Sequence, residues 1–544
     1  MKHRAQRGLR PADLGRAPAY VAIVPLAAVV VTSVSILIDR PLPLVLVAAG
    51  AGGLLMVLRP RLAVIGMLVF WAGGMFMEYQ TIRLGPLKVT LGDLCFWAGI
   101  VGVLWQRIGG SVGSVRSGRR ATATTHTSPT SHVSGTPRFL VPIALFFVAV
   151  LWGLLVATRA GNSVGESFHS ALNLTPLLAY FLIREVYAGR SKVLFQDLVV
   201  VTGLLSLAIL AAIAVNFEPF IGKSPNVIRT RGMEFEALRI DPPLLRTLSG
   251  TLLLATFAGI PRSPQLKTLR WILVAAMLAV EAYSMTRTTW APLLAVWLAL
   301  PVMARGTAGL RSAFLRGTAV MVVLVVGLGV ASTGSLGSTA QAMAVRAISV
   351  TDDNVTQDES LQDRLVEDEM ALGHIRDNPL GGIGFPRPYG AYQYEYDVDQ
   401  DLTRYIDKLF IHQTYLGLWM WFGILGVIAV VVLVGYLARA YWLVWHMRYR
   451  DASAPVAALG GLIVLAVSSM FQTNLLYRPA YFALAIGLAC LDLWIAERDL
   501  PRHQIVDDRT DHNDRYDGGE GEPVVRRRVT KRVPVADAPL TRGT

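Results

Sequence analysis

Cysteine is nearly absent. The 544 residues hold two, Cys95 and Cys490, both inside apolar runs, which excludes a disulfide framework and any Cys-x-x-Cys metal site. Charge is sparse as well, at 16% of residues, against 53% hydrophobic residues and a mean hydropathy of +0.47. That balance excludes a soluble domain of this length, and apolar runs of roughly twenty residues place the chain among polytopic membrane proteins. Internal repeats are missing, as is the inverted pair of broken helices common in transporters. The basic N-terminus, with Lys2, Arg4, Arg7, Arg10 and Arg16 ahead of an apolar run from Tyr20 to Ile38, lacks a small-residue cleavage site and reads as a retained signal anchor.

Positive charge is what the chain has in excess, a formal net +13. Most of it lies in short loops beside apolar spans and at the two ends, where it orients helices and meets anionic headgroups. Membrane lipid is therefore the expected partner, and nucleic acid is not.

About fourteen apolar spans can be drawn by length and flanking charge. With a cytoplasmic N-terminus every second loop should be basic, and it is, from Arg59/Arg61 through Arg184/Arg190/Lys192 to Arg439/Arg448/Arg450. The layout that follows is a basic cytoplasmic N-terminus at 1–19 and eleven spans at 20–331, with a disordered cytoplasmic loop at 107–138. An extracytoplasmic loop at 332–408, three spans at 409–497 and a disordered cytoplasmic tail at 498–544 complete it. The long loop carries fourteen Asp and Glu against six Lys and Arg, the opposite bias to the basic loops. The inner halves of the spans read as nearly free of ionisable residues.

Within the long loop, Leu361, Leu365, Leu372 and Ile375 share one stripe, Ser360 can cap the start and Asn378-Pro379 stops it, which predicts one surface helix. Gly381, Gly382 and Gly384 then form a small-residue turn, which lacks the Lys-Ser/Thr ending of a phosphate-binding P-loop. Asp397, Asp399 and Asp401 resemble the start of a calcium loop, but Leu402 stands in place of the turn Gly and Lys408 in place of the closing Glu, so no metal site is expected. Tyr389, Tyr392, Tyr394 and Tyr396 read as a solvated loop, or as faces on which sugars stack.

Two residues stand where chemistry is conceivable. Arg287 lies at the end of a span, where a charge near hydrocarbon needs a partner or a wet cavity. It is either an interfacial arginine paired with Glu281 or an anion clamp, since guanidinium matches phosphate oxygens with two parallel hydrogen bonds. His412 is expected in the first turn of the span after the long loop, either as a plain boundary residue or as a proton acceptor. Arg229, Arg231, Arg239, Arg287, Arg364 and Arg478 are all assigned to the membrane face of His412. Several guanidinium groups beside an imidazole suit a diphosphate leaving group and a proton transfer.

The order of these features resembles the O-antigen ligase and O-antigen polymerase superfamily of membrane glycosyltransferases. The residues that carry the resemblance are Arg231-Gly232, Pro242-Pro243, Thr286-Arg287, Arg364, the stretch from His374 to Gly384, His412-Gln413-Thr414-Tyr415-Leu416, and Phe422-Gly423-Ile424-Leu425-Gly426. Gln413 and Thr288 depart from the pattern, which usually has Asn and Gly there. The resemblance implies an all-α, GT-C-like polytopic fold in the bacterial inner membrane, with one long, partly helical extracytoplasmic loop and both termini cytoplasmic. It also implies metal-independent glycosyl transfer from a polyprenyl-diphosphate-linked glycan, without a cofactor, in company with polysaccharide export or chain-length proteins. His412, Arg287 and Arg364 match the catalytic positions of that family. Arg231, Arg229, Arg239 and Arg478 are the expected diphosphate-binding set. Two other readings compete: a transporter or flippase of a lipid-linked glycan, and a non-catalytic component of an export system.

Overall fold

The structure is a computed structural model. It describes residues 52–72, 81–84, 87–117, 136–215, 226–230, 233–237, 240, 243–258, 264–284, 286–303, 315, 317–319, 322, 359–397, 402–408, 411–446, 453–472 and 477–499. The chain divides into two units, Met1–Glu497 and Arg498–Thr544, and all that follows concerns the first. The spans drawn at Tyr20–Ile38 and Thr318–Ala331, the N-terminus and the tail fall outside the described residues, wholly or nearly so.

Most of the described chain is helical. In order come α1 (Pro60–Met67), a hairpin of β1 (Thr81–Leu84) and β2 (Leu87–Thr90), α2 (Leu91–Ser117), α3 (Leu140–Arg159), α4 (Val164–Ala171), α5 (Ala179–Val186) and α6 (Ser191–Ala214). A second hairpin follows, β3 (Asn226–Thr230) with β4 (Met233–Ala237), and then α7 (Leu245–Leu253), α8 (Pro264–Tyr283) and α9 (Arg287–Met303). The long loop supplies α10 (Glu359–Asp377) and a third hairpin, β5 (Gly390–Asp397) with β6 (Leu402–Lys408). The chain ends in α11 (Thr414–Phe422), α12 (Ile424–His446), α13 (Ser453–Ser468) and α14 (Arg478–Asp499).

Four of these helices are long and apolar enough to cross a membrane: α3, α6, α12 and α14. Shorter apolar helices lie at Pro60–Ala72, Leu245–Phe257, Thr288–Leu300 and Ser453–Ser468. Without a hydrophobic driving force in lipid, such helices associate through close backbone approach. Between α7 and α13 a Cβ added at Gly461 would lie 2.6 Å from the Gly250 Cα. α12 instead turns Val431, Val434 and Trp442 outward, which suits a face against acyl chains.

Four expectations are corrected. The first of the three spans at 409–497, drawn by hydropathy from Leu409 to Leu437, is not one helix, because Gly423 separates α11 from α12. The stretch Ala171–Tyr187 is a short 3-10 segment at Leu172–Leu178, with Pro176 inside it, followed by α5. The loop drawn as disordered from residue 107 is helical as far as Ser117. The spans do hold buried carboxylates, against the expectation that they are nearly free of ionisable residues. Asp197 takes Arg61 at 2.6 Å and Tyr187 at 2.6 Å, and Asp492 takes Arg184 at 2.9 Å and Tyr180 at 2.5 Å. Each is paired with an arginine and accepts a hydrogen bond from a phenol, which is how a buried carboxylate is tolerated.

Gly423 shows why the helix breaks where it does. Its φ is +61°, and a Cβ there would lie 2.1 Å from the Leu380 carbonyl oxygen. The glycine turn after α10 fits into this gap. The Ile383 N–H donates to the Met420 carbonyl at 2.8 Å, the Gly384 N–H to Trp421 at 3.2 Å, and the Ile424 N–H to Leu380 at 3.2 Å. The carbonyls left open at the end of α11 are thus satisfied by the turn. The Trp152 and Trp419 indoles add bonds of 3.0 Å to the Gly381 and Pro379 carbonyls. The turn is an anchor that fixes the end of α10 against α3 and α11.

Candidate active site

α10 presents Arg364, Glu367 and Asp368 at i, i+3 and i+4, one face of one helix. Glu367 is buried, at 1% exposure, and Ala371 below it is fully buried. The helix stops at Asp377, before Asn378-Pro379, since the residue ahead of a proline is pushed out of helical geometry. It begins at Glu359, so Ser360 lies within it.

His412 meets this face. Its Nδ1 stands 2.8 Å from Glu367 Oε2, and its backbone N–H donates to the same oxygen at 3.1 Å. The ring is not in the first helical turn, as expected, but two residues before α11. Gln413 is the cap residue, in extended geometry with φ −88° and ψ 98°, and Ile411 is fully buried beside it. Arg364 and His412 both act on Asp368, whose carboxyl is pushed above the ordinary range by burial and then by the Glu367 charge, and pulled back by His412 and Arg364. An arginine, an imidazole and two carboxylates therefore share one small volume.

The start of α11 is held from below. The Thr414 N–H donates to Ser469 O at 2.9 Å, and its hydroxyl donates to Gln472 O at 2.8 Å. The Gln472 amide in turn donates to the Thr288 hydroxyl. Thr288 follows Arg287, the first residue of α9. A continuous chain of contacts thus ties the backbone that carries Arg287 to the backbone that carries His412.

The other expected residues divide. Arg478 is 5% exposed, and its guanidinium is taken by Asp93 at 2.5 Å, Thr90 at 3.0 Å and Asn173 at 3.0 Å. Its place in the diphosphate-binding set is corrected: it is a buried ion pair that joins α14 to α2. Arg229 stands opposite Glu234 in the β3–β4 register. Arg231 and Arg239 lie outside the described residues. Glu367 and Asp368 were not singled out by the sequence, which predicts only a surface helix there. The only signal for them was their spacing from Arg364.

Beside this site lies an apolar cavity of about 140 Å³ between α3, α11, α12, α13 and α14. Thr414, Tyr415 and Ser469 form its polar part, and Phe146, Leu433 and Leu484 are among its apolar walls. Among the described residues no group of three His, Cys, Asp or Glu gathers as a ligand set.

Residues 272–431 match the family model described as O-antigen ligase. Over this stretch the chain is similar to the O-antigen ligase family. The stretch runs from α8 into α12 and takes in Arg287, Arg364, Glu367, Asp368 and His412, whereas Arg229, Arg231, Arg239 and Arg478 lie outside it. None of the curated proteins compared matches the chain. The match points to the O-antigen ligase family, and four of the described helices are long and apolar enough to cross a membrane.

Proposed function

We propose that this chain transfers a glycan from a polyprenyl diphosphate carrier to an acceptor hydroxyl, at the extracytoplasmic face of the bacterial inner membrane. The observation that carries the reading is the meeting of His412 with the Arg364 face of α10, inside the stretch similar to the O-antigen ligase family. In this reading the acceptor oxygen attacks the anomeric carbon, and the bond from that carbon to the diphosphate oxygen breaks. Its electron pair leaves with the diphosphate, where Arg364 and Arg287 stabilise the negative charge. The acceptor proton passes to His412. Glu367 holds the imidazole by Nδ1, so that Nε2 is the ring atom with a lone pair for that proton. The apolar cavity next to Thr414 and Tyr415 is where the prenyl chain of the donor would lie.

Replacement of His412 or Arg287 by Ala should abolish transfer in membranes supplied with a lipid-linked oligosaccharide, with folded protein at wild-type amounts. General acid–base groups contribute about 10²–10⁴-fold, so loss on that scale is the expected result for His412. Near-normal transfer by both variants would remove the site.

A further inference from the structure

The glycine turn after α10 is bonded as loops in water are not. Every residue from Pro379 to Pro386 has a backbone group taken by protein. The Pro379 and Gly381 carbonyls accept from the Trp419 and Trp152 indoles, and the Leu380 carbonyl accepts from the Ile424 N–H. The Gly382 N–H turns back on Asn378, while Ile383 and Gly384 donate to Met420 and Trp421 of α11. The Phe385 N–H reaches the Gly153 carbonyl inside α3 at 3.0 Å, and the Pro386 carbonyl takes the Asn162 amide, just past the end of α3. A turn on the protein surface leaves such groups to water, with no side chains committed to them. Irregular backbone within a bilayer has no water and persists only where protein satisfies it.

The depth of the turn follows from α3. Its 20 residues, at 1.5 Å each, make about 30 Å, the thickness of the hydrocarbon core. Arg159 therefore marks one boundary of that core. Gly384 lies so close to the Ala157 backbone that a Cβ would not fit, and Ala157 is about 3 Å from the boundary along the helix. Gly153 lies about 9 Å from it and Trp152 about 10 Å. Helical side chains lean toward the N-terminus, which takes the Trp152 indole deeper still. The chain thus goes in at Pro379 and is out again at Pro386, although the hydropathy layout puts all of 332–408 outside the membrane.

Leu380 decides what surrounds the turn. Gly382, Ile383, Gly384 and Phe385 are buried, yet Leu380 is 70% exposed. Its carbonyl is bonded to Ile424, the first of the exposed row Ile424, Ile428 and Val431 on α12. The next carbonyl is bonded to Trp152 of α3, which has its own exposed row in Val148, Leu151 and Leu155. Both helices are long and apolar enough to cross a membrane, so such rows face acyl chains, and Leu380 continues them. Tryptophan is also the residue enriched at membrane boundaries. We propose that residues 379–386 are a re-entrant segment seated at membrane depth beside α3, α11 and α12, with the Leu380 side chain against lipid acyl chains. The segment begins two residues after α10, so it ties that helix, and Glu367 with it, to the bilayer.

The test is fluorescence quenching on the full-length protein in lipid nanodiscs, with bimane attached to a single introduced cysteine. Cys95 and Cys490 are buried and stay in place. Leu380→Cys is compared with Val431→Cys, a lipid reference 63% exposed on α12, and with Arg387→Cys, a water reference exposed just past the segment. Phosphatidylcholine brominated on its acyl chains quenches from the lipid side, and iodide quenches from the aqueous side. The label at 380 should lose fluorescence in brominated lipid, as the label at 431 does, and keep it in iodide, while the label at 387 does the reverse. Quenching at 380 by iodide, which puts the turn in water, or by neither agent, which puts Leu380 against protein, would overturn the proposal. Neither result bears on whether the chain transfers a glycan.

Discussion

Glu367 accepts two hydrogen bonds on a single oxygen from a single residue, the backbone and ring N–H groups of His412. The ring is thereby held in one orientation and one tautomer, so under the proposed function the carboxylate would act through the imidazole. Glu367→Ala should lower transfer by about 10–100-fold, the equivalent of one hydrogen bond to a charged group, and turnover measured at saturating acceptor is the check. Asp368 gives a pH signature. Its folded-state pKa is raised, chiefly by burial, so the stability it contributes is present below the ordinary carboxylate pKa and is lost as pH rises through the folded value. Asp368→Asn should raise the melting temperature at neutral pH, and the gain should shrink as the pH is lowered toward 3.8, the ordinary value. His412 was conspicuous in the sequence because a histidine beside an apolar span stands out, whereas Arg364, within the polar loop, was singled out by the resemblance. Arg478 was misread, since its partner Asp93 lies 385 residues away in the chain and pairing at that distance leaves no local trace.

At the scale of elements, hydropathy hid the decisive feature. Both sides of Gly423 are apolar, so Leu409–Leu437 read as one span, and only the positive φ and the approach of Leu380 reveal the break. The end of α10 was legible from Asn378-Pro379, and the glycine turn from its residues, whereas the role of the turn in satisfying α11 carbonyls needs both partners in view. The three hairpins were not anticipated, since the sequence reading searched the polar stretches for helices and turns. Gly423→Ala should destabilise the protein by about 1–3 kcal/mol or more through its left-handed backbone, with the contact to Leu380 added. Transfer should fall with it, as the turn sets the position of α10. Gly435→Ala, in α12 with nothing within 4 Å of the added Cβ, should leave melting temperature and transfer unchanged. Melting curves of the two variants in detergent are the measurement.

For the whole molecule, the ion pairs sort by end. Arg61–Asp197 and Arg184–Asp492 lie at one end of the bundle, while the start of α9, the start of α11 and the end of α13 meet at the other. The basic-loop parity assigns the first end to the cytoplasm. A cysteine at Arg387, which is exposed in the turn after α10, should react with a membrane-impermeant maleimide on intact cells, and one at Arg190 only after permeabilisation. Cys95 and Cys490 are buried, so they give little background. Labelling of the two positions in the opposite order would invert the topology.

Thr414 is secured by Ser469 and Gln472, residues that the ribosome adds more than fifty positions after it. His412 can therefore be polymerised, exported and even bound by Glu367 while its supporting floor is still unmade. A nascent chain halted before α13 would carry every catalytic side chain proposed here and still be inert. Under the proposed function, biogenesis would thus withhold activity until insertion is almost finished.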